Sequence, residues 1–304
     1  MTAAAAVAVR PPDRLTLAAF VVLILIGGGN GVAIRFSNQE LPPFWGATLR
    51  IAPAALIFTV TMLLLHAPLP RGRGLVGALI YGVFGFGVGY AFIYWALLTV
   101  GAGFAQVVLA LIPLLTLMFA IVHGLERFRV RALAGALLAL AGIAVVFGGQ
   151  AAQPVPVWPV VALIAAGICV AETTIVVKWF PKSHPAALNA VGMASGAVIL
   201  LAISLIAGER WALPTLTNTW IALVFLILVG SVGVFALFVF VVRRWTASAT
   251  SYQFVLYPFV TVALSAAIAN ESVTGAFLLG GALVLAGVFV GAFTGRKASP
   301  VPQR

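Results

Sequence analysis

Apolar residues run along this chain in long stretches, each closed by a charge, a proline or a glycine. A membrane helix needs about 20 apolar residues to cross a hydrocarbon core of ~30 Å. On that measure the pattern predicts ten spans, over residues 15–35, 43–65, 75–98, 103–123, 130–149, 157–177, 185–207, 216–241, 247–269 and 273–294. The stretch that begins at Leu15 runs on too far for the core of a removable signal peptide, so it reads as a retained first helix. The weakest joint is Thr99 to Gly103, which is short and uncharged.

Composition agrees with this. Only 8% of the 304 residues are charged and 63% are hydrophobic, whereas a soluble domain carries roughly 25% charged residues. The net charge of +11 does not indicate nucleic acid, because the basic residues come in small groups between apolar runs. Their distribution sets orientation. With the connections numbered alternately inside and outside, starting inside, the inside set holds Arg10, Arg14, Arg71, Arg73, Arg127, Arg129, Arg131, Lys178, Lys182, Arg243, Arg244, Arg296, Lys297 and Arg304. Outside lie only Arg35 and Arg210, and Arg50 falls within a span. The positive-inside rule then predicts both termini in the cytosol.

The chain also matches itself at an offset of 145 residues: Pro113 with Pro258, Thr116 with Thr261, Glu126 with Glu271, Gly135 with Gly280, Gly142 with Gly287, and Gly85 with Gly230. Each copy holds five spans, an odd number, so the second copy must be inserted upside down. Charge agrees: Arg127, Arg129 and Arg131 follow Glu126, and no basic residue follows Glu271 in Ser-Val-Thr-Gly. The expected fold is an all-α integral membrane protein of ten helices in two inverted five-helix repeats. It divides into a cytosolic tail at 1–14, a first repeat at 15–149, an external linker at 150–156, a second repeat at 157–295 and a cytosolic tail at 296–304. Inverted repeats are a signature of secondary transporters, in which access alternates around a midplane site.

The stretch Gln106–Val145, with LALIPLLT, Glu126 and GALLALAG, resembles the repeat unit of the drug/metabolite transporter superfamily, EamA type. Tyr252–Val290, with VLYPFVT, Glu271 and GGALVLAG, resembles its second copy. With the ten-span layout the resemblance covers nearly the whole chain, and within the superfamily the chain looks most like YddG-type amino-acid exporters of the bacterial inner membrane. The resemblance implies a central cavity walled by helices one, three and four of each half, with helices five and ten as scaffold.

Several residues are candidates for the cavity. Pro113 and Pro258 fall near the middle of spans four and nine, where each frees a carbonyl, at Leu109 and Phe254. They read as paired hinges or acceptors, or as static kinks. Span nine carries Thr250, Gln253, Tyr257, Thr261 and Ser265 on one face, which should turn to protein or water. In span three Tyr81 and Tyr90 sit deeper than an aromatic belt requires and fit a ring-lined path, whereas Tyr94, Trp95 and Trp158 lie near the outer boundary. Glu172 is an intramembrane carboxylate, able to carry a coupling proton, to pair with a substrate amine or to snorkel outward. Its counterpart in span one is the GGGNG stretch with Asn30. Arg50, about two turns into span two, could hold a substrate carboxylate or snorkel. Glu126 and Glu271 are read as openers of helices five and ten, favoured by the helix dipole.

No P-loop, His-Glu-x-x-His or Gly-x-Ser-x-Gly motif occurs. Cys169 is the only cysteine and reads as a small buried thiol. The expectation is a non-enzymatic exporter of amino acids with aromatic or bulky apolar side chains, with no cofactor, no metal, no ATP and no nucleic acid. One chain suffices for both halves of a cavity, so a monomer serves. Sugar-phosphate or nucleotide-sugar transport would call for several intramembrane cations, and only Arg50 qualifies. Other small metabolites or drugs, and a non-enzymatic sensor, are the remaining alternatives.

Overall fold

The computed structural model describes residues 12–100, 105, 108–147, 156–260 and 275–293. Its helices are α1 (Arg14–Ser37), α2 (Pro43–Leu64), α3 (Arg73–Ala96), α4 (Ile112–Val122), α5 (Val130–Phe147), α6 (Val157–Trp179), α7 (Pro185–Ile206) and α8 (Thr217–Arg244). They are followed by α9, which starts as Ala247–Ser251 and continues past Tyr252 over 253–260, and by α10 (Gly275–Val288, with a π-helical end Phe289–Phe293). There is no strand among the described residues. In lipid every backbone N–H and C=O must be satisfied within its own segment or by a neighbour, which leaves helices as the answer for these apolar runs. Of the described helices, α2, α3, α6, α7 and α8 are long and apolar enough to cross a membrane.

Helix ends follow local rules. Asp13 caps α1 by accepting from the Thr16 N–H at 2.7 Å. Two residues beyond the ends of α4 and α7, Gly124 and Gly208 take positive φ (71° and 66°), the left-handed stop that glycine adopts without penalty.

Small residues set the packing. A Cβ added to Gly135 would fall 2.4 Å from the Gly291 backbone N, one on Gly142 2.6 Å from the Gly280 carbonyl, and one on Gly287 2.6 Å from the Ala139 N. The order of these pairs makes α5 and α10 antiparallel, in backbone-to-backbone contact. Gly85 lies against Thr173 and Gly89 against Cys169, so α3 and α6 are antiparallel. Gly230 lies against Asn30 and Gly233 against Ile26, so α8 and α1 repeat that relation with the halves exchanged.

Within α3 the segment Val83–Val88 is π-helical, and within α8 so is Leu228–Gly233. The two segments are separated by the same 145 residues as the sequence repeat. A π-turn widens the hydrogen-bond ladder by one residue and is often found at functional sites. Nothing in the hydrophobic period announces these turns; their only sequence trace is the matched pair Gly85 and Gly230.

Candidate substrate cavity

An internal cavity of about 100 Å³ lies against the π-segment of α3 and against the residues of α8 that directly follow its π-segment. Its walls come from α1 (Asn30), α3 (Gly85, Tyr90, Ile93), α6 (Val170, Thr173), α8 (Val234, Phe235, Phe238) and α9 (Gln253, Phe254, Tyr257). This volume holds several waters but falls short of the roughly 300 Å³ at which ligand pockets begin. A larger solute therefore enters only when the walls move apart.

Four residues singled out in the sequence meet here: Asn30, Tyr90, Gln253 and Tyr257. Gln253 is buried, and its Oε1 accepts from the Tyr257 hydroxyl at 3.0 Å, one turn along the same helix. The Tyr257 ring occupies the notch left by Gly27, where a Cβ would lie 2.3 Å from Cε1. Gly28 makes the same room for Val260. The glycine run of α1 is thus the groove that seats α9, and Asn30 sits at its end. Asn30 Nδ2 donates to the Gly230 carbonyl at 3.2 Å.

Other candidates lie elsewhere. Tyr81 is fully buried but does not line the cavity. Its hydroxyl donates to Asn189 Oδ1 at 2.9 Å, and Asn189 Nδ2 donates to the Phe235 carbonyl at 3.3 Å, a bridge from α3 through α7 to α8. Glu172 is also absent from the walls and lies 3.6 Å from His123 Nε2. Pro113 sits in the first turn of α4, directly after the turn at Ala110 and Leu111, and Pro258 lies within the helical 253–260. Thr261, like Glu271, lies outside the described residues. Tyr94 is buried, whereas Trp95 and Trp158 are exposed as belt residues would be.

Glu126 satisfies a helix start, but of a helix other than α5. It reaches across to α9 and accepts from the Ser248 N–H at 3.0 Å and from its hydroxyl. The dipole argument holds for the residue type; which N-terminus it serves is decided by packing.

Behind the Tyr90 ring stands Arg50, 1% exposed. Its Nε donates to Ser231 Oγ and its Nη2 to the Gly230 carbonyl, both at 2.8 Å, and its guanidinium carbon lies 5.2 Å from the Tyr90 ring centroid. Burial in the bundle and contacts to the π-segment replace the snorkelling alternative. Placing an arginine at the centre of a bilayer costs about 2.5–3.5 kcal/mol on insertion scales.

Sequence reasoning missed Gly85, Thr173, Phe235, Phe238 and Phe254 in the walls. At position 172 it followed the carboxylate, whereas its neighbour Thr173 faces the cavity, about 100° round the helix. The phenylalanines of α8 and α9 carry no signal that separates a cavity-facing ring from a lipid-facing one.

The fold and cavity define a multi-pass helical membrane protein built from two like halves. The EamA-like transporter family model matches the chain twice, over residues 14–148 and 157–292. The chain belongs to that family, of the drug/metabolite transporter superfamily, and is a multi-pass protein of the inner membrane. It is 29% identical over 259 residues, 84% of this chain and 83% of the relative, to the uncharacterized inner membrane transporter YedA of Escherichia coli K12. An uncharacterized transporter of Archaeoglobus fulgidus is 24% identical over 267 residues, covering 85% of this chain and 91% of its own length. A crystal structure 22% identical in sequence shares the fold, with a TM-score of 0.79 over 93% of this chain and 99% of that one.

Proposed function

We propose that this protein is a secondary transporter that exports amino acids with aromatic or bulky apolar side chains by alternating access. The observation that carries the reading is the cavity where the two halves meet, with aromatic rings (Tyr90, Phe235, Phe238, Phe254) on its walls and a few polar groups (Asn30, Thr173, Gln253, Tyr257) among them. An amphipathic solute matches such walls, and a metal ion or a sugar phosphate does not. In this reading ten spans form two inverted five-helix repeats, at 15–149 and 157–295, with both termini cytosolic. The antiparallel pairs α5 with α10, α3 with α6 and α1 with α8 support the inversion. The proline pair, Pro113 and Pro258, serves the rocking of the halves, and one chain suffices.

The test is counterflow of labelled L-phenylalanine and L-leucine in liposomes, against a panel of amino acids, with and without a pH gradient. Exchange of bulky apolar amino acids is expected. Equal inactivity toward every amino acid would overturn the substrate class. If Glu172 beside His123 carries a coupling proton, a gradient accelerates exchange in the native protein and leaves Glu172→Gln unaffected; indifference of the native protein removes that role.

A further inference from the structure

Arg50 is the only charged side chain that is fully buried among the described residues. Its third nitrogen, Nη1, is buried and meets no acceptor. Among the described residues no carboxylate balances it. Glu209 accepts from Phe44 N, Trp45 N and Ser204 Oγ, and Glu40 from Thr215 and Leu216. Glu126 is taken by Ser248 and Arg129, Glu172 by His123, and Asp13 by the α1 N-terminus. The protein has therefore committed a cation to the bundle interior with neutral neighbours only: Ser231 and Gly230 take two of its nitrogens, the Tyr94 hydroxyl lies close to the guanidinium, and Nη1 is left without an acceptor in good geometry. An arrangement of this kind stabilises the folded chain less than an apolar side chain of the same size would.

Its location gives it a use. The guanidinium shares the Gly230 carbonyl with Asn30, which lines the cavity, and is covered by the ring of Tyr90, which also lines it. Asn30 Oδ1, on the same carbonyl cluster, is a buried acceptor without a partner. Turning the Tyr90 ring aside would open a path from the cavity to both.

We propose that Arg50 is the anchor for a carboxylate on the transported solute, with Asn30 Oδ1 beside it for an attached ammonium, so that the substrates are free acids and not their amides or amines. This rests on the transport reading above and deepens it. Arginine suits the role because its planar fork can hold Gly230 and Ser231 with two nitrogens while offering the third.

The experiment is competition against L-phenylalanine counterflow in liposomes by unlabelled L-phenylalanine, L-phenylalaninamide, 3-phenylpropanoate and phenethylamine. A charge-assisted hydrogen bond lost from a buried site should make the amide and the amine weaker competitors than the amino acid by about tenfold or more. Arg50→Lys and Arg50→Met are measured in the same way after their folding is checked by size exclusion and thermal unfolding. The readout is the acid-to-amide ratio, which does not depend on how much protein is folded. Loss of that ratio in Arg50→Met, with partial retention in Arg50→Lys, is expected. Equal competition by acid and amide in the native protein, or an unchanged ratio in folded Arg50→Met, would overturn the anchor and leave the transporter standing. Absence of exchange with any amino acid would overturn the substrate reading, and the anchor with it.

Discussion

The two π-segments are one backbone device carrying two sets of side chains. In α3, Gly85 faces Thr173, whose hydroxyl already donates to the Cys169 carbonyl of its own helix at 2.8 Å. In α8, Gly230 faces Asn30, and its carbonyl takes donors from both Asn30 and Arg50. The first turn thus places Gly85 on the cavity wall beside a locally satisfied Thr173, whereas the second packs behind the wall in a polar cluster of which only Asn30 reaches the cavity, with one donor and one acceptor unused. The difference teaches that duplication kept the π-helical backbone turn while the side chains packed on it diverged.

The comparison breaks most readily at the glycines. A Cβ on Gly230 would fall 2.1 Å from Asn30 Oδ1, and one on Gly85 3.1 Å from Thr173 Cγ2. Gly230→Ala should cost about 1–3 kcal/mol as an overpacking change, lower the thermal midpoint and abolish exchange. Gly85→Ala should cost well under that and keep exchange. Equal effects in thermal unfolding would show the two turns to be equivalent.

The side chains give a smaller contrast. Asn30→Ala removes one of two donors from the Gly230 carbonyl and should cost about 1 kcal/mol, with weakened competition by amino acids in counterflow. Thr173→Val on the other side removes a hydroxyl bonded only within its own helix, and should change stability less than Asn30→Ala does. A Thr173→Val loss as large as that of Asn30→Ala would place polar recognition in both halves.

The smallest expected effect is in the approach to each turn. Glu40 accepts from the Thr215 hydroxyl and from Thr215 N and Leu216 N at the start of α8, and the hydroxyl bonds hold its carboxyl down to about 2. The matching start of α3, at Gly72, has no side-chain cap. A depressed carboxyl contributes stability fully above its unfolded value of 4.5 and loses it as pH falls towards 2. Hydrogen exchange at the start of α8 should therefore rise over that window, and the start of α3 should not respond. Glu40→Gln should remove the pH response. Because Glu40 lies at the surface, screening keeps the change small.

Much of the fold was legible in the sequence because a bilayer leaves few choices. Apolar stretches of spanning length must be helices, and the register of Pro113 with Pro258 and of Gly135 with Gly280 exposed the duplication. Four of the cavity residues were legible too, for a shared reason: Asn30, Tyr90, Gln253 and Tyr257 are polar groups in apolar helices, which lipid would not tolerate.

What the sequence determined alone is the all-helical, apolar character of the chain, its repeat and the few polar positions that must avoid lipid, all consequences of solvation in hydrocarbon. The tertiary structure decided the rest. It showed that Glu126 serves α9, that Tyr81 bridges to Asn189, that Thr173 and not Glu172 meets the cavity, and that Arg50 turns inward onto Gly230. Each of these depends on which helix lies alongside, and contacts across 180 or 200 residues, such as Arg50 with Gly230 and Asn30 with Gly230, leave no trace in the local period of the chain.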